Sequence, residues 1–166
     1  MSFNPPPGVE ENQFEVIMFS RNVTMFVSRG GMNRGPLWCY VSHMSSGGAG
    51  KYAGKVVIVS GASSGIGEEV SLQYAKQGAN LVVSARREEK LTDVADRCRQ
   101  AAIDAGTSGS TKAVVADVSV EEDCKRMVAA AVTQFGGVDI LVLNAGVGQV
   151  CTLWMWCTLF LMRLCM

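Results

Sequence analysis

The sequence predicts an α/β fold: half of a doubly wound parallel sheet, truncated after its fourth strand. Three observations predict it. Four short apolar runs recur at Lys55–Ser60, Asn80–Ser84, Lys112–Asp117 and Val138–Leu143. The stretches between them are amphipathic with helical spacing, and each ends on glycine, at Gly78, Gly106 and Gly136-Gly137. Strands that are apolar throughout and separated by helices belong to a parallel sheet covered on both faces, and right-handed crossovers wind such a sheet into a doubly wound half.

Lys55–Ser60 (KVVIVS) is rich in β-branched residues, as a buried strand is. A glycine-rich turn follows, then a helix to about Gln77 that Gly78 stops. Asn80–Ser84 (NLVVS) is the second strand. Glu88–Ala105 is a helix with Leu91, Val94, Ala95, Cys98 and Ala102 on one face. Lys112–Asp117 (KAVVAD) is the third strand. Ser119 is placed to cap the next helix, and Glu122, three residues on, completes a capping box. The apolar face of that helix is Val120, Cys124, Met127, Val128, Ala131 and Phe135. Val138–Leu143 (VDILVL) is the fourth strand.

The two ends differ in texture from residues 51–149. Residues 1–50 hold Pro5-Pro6-Pro7, Gly30-Gly31 and Ser45-Ser46-Gly47-Gly48, sustain no period of 2 or 3.6, and are expected to be a flexible extension. Met44 opens a stretch that looks like the natural start of a protein, so residues 1–43 are read as an upstream extension with Met44 as an alternative start. Residues 150–166 form an apolar tail with Cys151, Cys157, Cys165, Trp154, Trp156 and one charge, Arg163. The uncharged run there is shorter than the roughly 20 residues a spanning helix needs. The tail is read as a sticky segment or a cover for a sheet edge, with membrane association the lesser reading.

Composition narrows the classes. With 48% hydrophobic and 18% charged residues the chain is globular rather than disordered. Fifteen basic residues balance fifteen acidic ones, which gives no electrostatic reason for a nucleic-acid partner. The six cysteines form no C-x-x-C pair and do not cluster with the single histidine, His43, so no zinc site is expected. Cys98 and Cys124 fall on apolar helix faces and read as buried reduced thiols, which points to an intracellular, cytoplasmic location. Glu10, Glu11 and Glu15 stand where a secretory or mitochondrial leader would need basic residues.

The motif that carries chemistry is Ser60-Gly61-Ala62-Ser63-Ser64-Gly65-Ile66-Gly67, between the first strand and the first helix. A helix N-terminus presents unpaired N–H groups and the positive end of the macrodipole. A pyrophosphate can rest there if no side chain blocks it, and glycine supplies the clearance. The spacing is Gly-x-x-x-Gly-x-Gly; Ser63 and Ile66 stand where the G-x-G-x-x-G motif needs glycine. A tight turn without ligand is the alternative reading.

This turn, together with Asp117-Val118 after the third strand and Asn144-Ala145-Gly146 after the fourth, resembles the short-chain dehydrogenases/reductases over residues 54–149. Lys55–Gly61 and Ala85-Arg86-Arg87-Glu88 are similar to hydroxysteroid-dehydrogenase-like members. The resemblance implies a Rossmann-like half-domain over 51–149 that binds a dinucleotide. Gly61, Gly65 and Gly67, with Ile66 between, would line the phosphates. Ser63 and Ser64 would hydrogen-bond them or cap the helix. Asp117 would accept from the adenine amine, and the Val118 amide would meet the ring. Asn144 would tie adjacent strands together, and Ala145 and Gly146 would lie along the cofactor.

An NAD-reading site of this type puts an acid at the end of the second strand. Here that strand runs Val83-Ser84-Ala85-Arg86-Arg87 with no acid. A carboxylate repels a 2′-phosphate, whereas arginine grips it. NADP(H) is therefore expected rather than NAD(H), with Arg86 as first contact and Arg87 in support; the alternative is that both pair with Glu88 or Glu89.

The family transfers hydride between nicotinamide and a carbonyl/alcohol pair, using a Tyr-x-x-x-Lys acid/base. Tyr40, Tyr52 and Tyr74 are followed at +4 by Met44, Val56 and Gly78, so none qualifies, and residues 147–166 contain no Tyr, Lys or Ser. Tyr74 reads as a packing residue inside the first helix. No catalytic residue and no metal ligand is assigned. The chain is expected to be the cofactor half of an oxidoreductase, catalytically incomplete, with low soluble yield, a doubtful oligomer interface and Val138–Leu143 as an exposed apolar edge. The alternatives are a non-catalytic nucleotide-binding or dominant-negative interaction protein, and a product with no stable fold.

Overall fold

The computed structural model describes residues 15–20, 23–28, 31–35 and 50–146. In chain order the elements are β1 (Glu15–Ser20), β2 (Val23–Ser28), β3 (Gly31–Gly35), β4 (Val56–Ser60), α1 (Ile66–Lys76), β5 (Asn80–Ala85), α2 (Glu88–Asp104), β6 (Thr111–Val115), α3 (Glu121–Phe135) and β7 (Ile140–Leu143). All the strands join one sheet in the order β3-β2-β1-β7-β4-β5-β6.

The four strands expected from the sequence are β4 to β7, and they pair in parallel, with Val57 opposite both Leu81 and Ile140 and Leu81 opposite Thr111. Numbered within this half, their order is 3-2-1-4, the first four positions of a doubly wound sheet. Successive strand residues face opposite sides, so the sheet feeds two cores. Val57, Val59, Leu81, Val83 and Val142 pack under α1 and α2, against Val70, Tyr74, Leu91, Val94 and Cys98. Ile58, Val82, Val114 and Leu141 pack under α3, against Cys124, Met127, Val128 and Ala131. Burying side chains of this size contributes roughly 1.5–3 kcal/mol each.

The periodicity located the helix faces well. Leu91, Val94, Ala95, Cys98 and Ala102 are all buried along α2. Tyr74 is a core residue, edge-on to Tyr52 with ring centroids 5.0 Å apart. Cys98 and Cys124 are buried and in no disulfide among the described residues, and burial pushes the Cys98 thiol up to about 12, so it stays protonated near neutral pH.

Two features depart from expectation. The capping box before α3 does not form: Val120 is the N-cap, without a side-chain hydrogen bond. Ser119 instead donates its hydroxyl proton to the Asp117 carboxylate at 2.7 Å, because a charged acceptor two residues back outcompetes a helix amide. Val120 is consequently turned outward and half exposed.

The larger departure lies in residues 1–50, where no regular element was expected. β1 pairs in parallel with β7, and β2 and β3 continue antiparallel beyond it. The partner of β1 is more than a hundred residues later in the chain, so local periodicity had no reason to announce it. Pro5-Pro6-Pro7 and Ser45–Gly48 lie outside the described residues. β7 is accordingly not an exposed edge; its residues are buried. The Met44 start and the 150–166 tail lie outside the described residues.

Candidate functional site

The doubly wound order reverses between β4 and β7, and ligands bind such sheets at the strand C-termini beside that point. The glycine-rich turn sits there. Gly61 and Gly65 hold positive φ, 67° and 64°, a region that suits glycine. Gly65 is the N-cap of α1 and makes no side-chain capping bond, so the first α1 amides keep their unpaired character. A Cβ added at Gly65 would meet nothing within 4 Å, which leaves open space before the helix end.

Gly61 and Gly67 are constrained differently. A Cβ on Gly61 would stand 2.8 Å from the Ala145 Cα. One on Gly67 would collide with the Gly61 carbonyl and the Asn144 amide. These two glycines therefore let the turn close on the end of β7. Ile66 is half exposed at the first position of α1.

Asn144 and Ser60 lock that closure. The Asn144 side-chain amide donates to the carbonyls of Ser60 at 3.3 Å and Gly61 at 3.1 Å. The buried Ser60 hydroxyl accepts from the backbone N–H groups of Asn144 at 3.2 Å and Ala145 at 3.1 Å, and donates to the Val142 carbonyl at 3.3 Å. Asn144 thus ties β4 to β7, as the motif implied. Ser60 opens the motif in the sequence but was given no role of its own there; the available signal was a lone hydroxyl closing an otherwise apolar strand. Gly146 follows, exposed, at the same rim.

The two arginines after β5 part company. Arg87 reaches the turn and donates to the hydroxyls of Ser63 at 3.0 Å and Ser64 at 2.8 Å. Those serines therefore do not cap α1. Arg86 faces the Asp117 carboxylate at 3.7 Å. Of the two, Arg87 is the one that touches the glycine-rich turn. Asp117, at the end of β6, takes the Ser119 N–H at 3.0 Å as well as its hydroxyl. These hydrogen bonds, with the nearby Arg86 charge, hold its carboxyl below the usual range, so it is ionised at neutral pH. Val118 packs against the core under α3.

Among the described residues no group of three His, Cys, Asp or Glu side chains could hold a metal ion, and no helix is long and apolar enough to cross a membrane.

The comparisons agree with this fold. The curated relatives include an 11-beta-hydroxysteroid dehydrogenase-like protein of Arabidopsis thaliana, 48% identical over 99 residues, which are 60% of this chain and 31% of that protein. An 11-beta-hydroxysteroid dehydrogenase of Pinus massoniana is 50% identical over 98 residues, covering 58% of this chain and 26% of the relative. The chain therefore spans about a third or less of these relatives. Among solved structures, L-sorbose reductase from Gluconobacter frateurii, complexed with NADPH and L-sorbose, is similar with a TM-score of 0.57 at 31% identity, over 70% of this chain and 46% of that one. A hydroxysteroid dehydrogenase from Escherichia coli is similar with a TM-score of 0.53 at 34% identity, over 59% and 39%. The family model for short chain dehydrogenase matches residues 55–155, running a few residues into the segment that the sequence set apart as a tail. On that match, which takes in the turn, Asp117 and Asn144-Ala145-Gly146, the chain belongs to the short chain dehydrogenase family.

Proposed function

We propose that residues 51–149 bind NADP(H), as the cofactor half of an oxidoreductase that moves hydride between nicotinamide and a carbonyl or alcohol. The single observation that carries the cofactor choice is the Arg87 guanidinium set against Ser63 and Ser64, beside an α1 N-terminus with open space before it. A dinucleotide pyrophosphate rests on the amides of Gly65, Ile66 and Gly67, with Gly61 behind it. The 2′-phosphate lies against Ser63, Ser64 and Arg87, with Arg86 turning to it from Asp117; guanidinium groups pair with it, and no acid stands at the tip of β5 to repel it. Asp117 has Oδ1 engaged by Ser119 and Oδ2 facing Arg86 at 3.7 Å; it accepts from the adenine amine through Oδ2 once Arg86 turns to the phosphate, with the Val118 amide at the ring. Ala145 and Gly146 line the path toward the nicotinamide, which supplies the hydride chemistry. The NADPH complex of the similar L-sorbose reductase supports the same choice.

Calorimetric titration of the chain with NADPH and NADH tests it. NADPH should bind at least tenfold more tightly, and Arg87→Ala should erase most of the difference. Equal or tighter NADH binding overturns the assignment.

A second reading concerns turnover. The 166 residues contain no Tyr-x-x-x-Lys, and they cover about a third of the relatives' length. These residues by themselves are read as binding the dinucleotide without reducing a substrate. A carbonyl panel monitored by NADPH absorbance separates the two: binding without turnover supports the non-catalytic form, and turnover refutes it.

A further inference from the structure

The β7 edge is an interaction surface, and the chain supplies its own partner. In a doubly wound sheet ordered 3-2-1-4-5-6, the strand after position 4 is a fifth parallel strand. Position 4 here is β7, and the strand beside it is β1, also parallel, with Glu15, Val16, Ile17 and Met18 opposite Ile140, Leu141, Val142 and Leu143. A segment that precedes the dinucleotide-type half in sequence thus lies where a doubly wound sheet puts its fifth strand. β2 and β3 then extend the sheet antiparallel.

We propose that β1 guards the β7 edge, and that without it the edge takes up a strand of a second copy of this chain. An uncovered β7 would present a row of unpaired N–H and C=O groups along Ile140-Leu141-Val142-Leu143, which is short, uncharged and rich in β-branched and leucine residues. Such an edge is a template for strand addition. β1 satisfies those groups within the chain, and at the far end of the sheet it substitutes β3, Gly31–Gly35 (GMNRG), which carries glycine at both ends and a charge. Glycine and charge weaken an edge as a template. The guard also bears on the site, because the β7 that it flanks leads directly into Asn144 and Ala145.

Hydrogen exchange with fragment-resolved mass spectrometry on the full chain is the first arm of the test. The amides of β7 that turn away from β4 should be protected at least tenfold over loop amides. The second arm is a variant lacking residues 1–43, and the third is Ile17→Pro in the full chain, which removes a β1 backbone donor. Both variants should lose protection at those β7 amides and self-associate with concentration in sedimentation velocity, while the full chain does not. Unprotected outward amides in the full chain overturn the proposal without any variant. Monomeric variants with unchanged β7 exchange overturn it too. NADPH affinity is not a readout here, so failure of the cofactor assignment would leave this test intact.

Discussion

β4 is tied to β7 at both ends, and the two ties are made of different material. At the C-terminal end, under the candidate site, the tie is neutral and largely buried: Ser60, Asn144 and the closely packed glycines 61 and 67. At the N-terminal end it is charged and open to solvent. Asp139 accepts from the Lys55 ammonium at 2.7 Å and from the Val56 N–H at 2.8 Å, with the Lys55 side chain 56% exposed. Water can replace much of what the Lys55–Asp139 pair provides, whereas nothing replaces a buried hydroxyl that serves two backbone amides. The end that holds the ligand is therefore the end that tolerates least.

The largest effect should come from Gly67→Val, which forces side-chain atoms into the Gly61 carbonyl and the Asn144 amide. Overpacking of this kind costs about 1–3 kcal/mol, and here the obstacles are backbone and a pinned amide, so the upper end applies. Urea denaturation should show that loss, and NADPH binding should fall below detection. A variant with native stability would mean that the corner is looser than its contacts.

Ser60→Ala comes next. It orphans the Asn144 and Ala145 N–H groups in a mostly buried place, a loss of about 1–3 kcal/mol. NADPH affinity should fall with it, because the rim from Asn144 to Gly146 is no longer pinned to β4. A stability loss with full affinity would assign Ser60 to the fold alone.

These two residues also mark the limit of what the sequence discloses. The glycine-rich turn and Asn144 were legible because their spacing is a motif placed between recognisable elements. Leu91, Val94 and Cys98 were legible because helical spacing sorts buried from exposed by itself. The role of Ser60 was not, because it depends on two amides 84 and 85 positions away. The β1–β7 pairing was hidden for the same reason, since a parallel ladder leaves no trace in the spacing of either strand. The mistaken Ser119 cap shows the local version of this problem. The residue type suited a cap, but a competing acceptor, Asp117, lay two positions away.

At the other end of β4, Asp139→Ala removes an ion pair and the carboxylate that accepts from the Val56 N–H, and should cost about 1 kcal/mol, most of it from the orphaned Val56 N–H. Asp139→Asn keeps an acceptor for that N–H and should recover more than half of the loss. Equal losses in the two variants would shift the weight onto the charge.

Lys55→Met isolates the charge term. It deletes the ammonium that meets Asp139 while retaining an apolar stem. Exposed pairs of this kind contribute about 0.2–1 kcal/mol and are screened by salt, so the loss should be at most about 0.5 kcal/mol in dilute buffer. It should vanish by about 1 M salt, where the Debye length is near 3 Å. Denaturation curves for the parent and Lys55→Met at both salt concentrations test this directly. A loss that persists in high salt would mean that the lysine stem, rather than its charge, holds this end of β4. A loss above that of Ser60→Ala would invert the ranking of the two ties and put the mechanical anchor of the sheet at the end remote from the ligand.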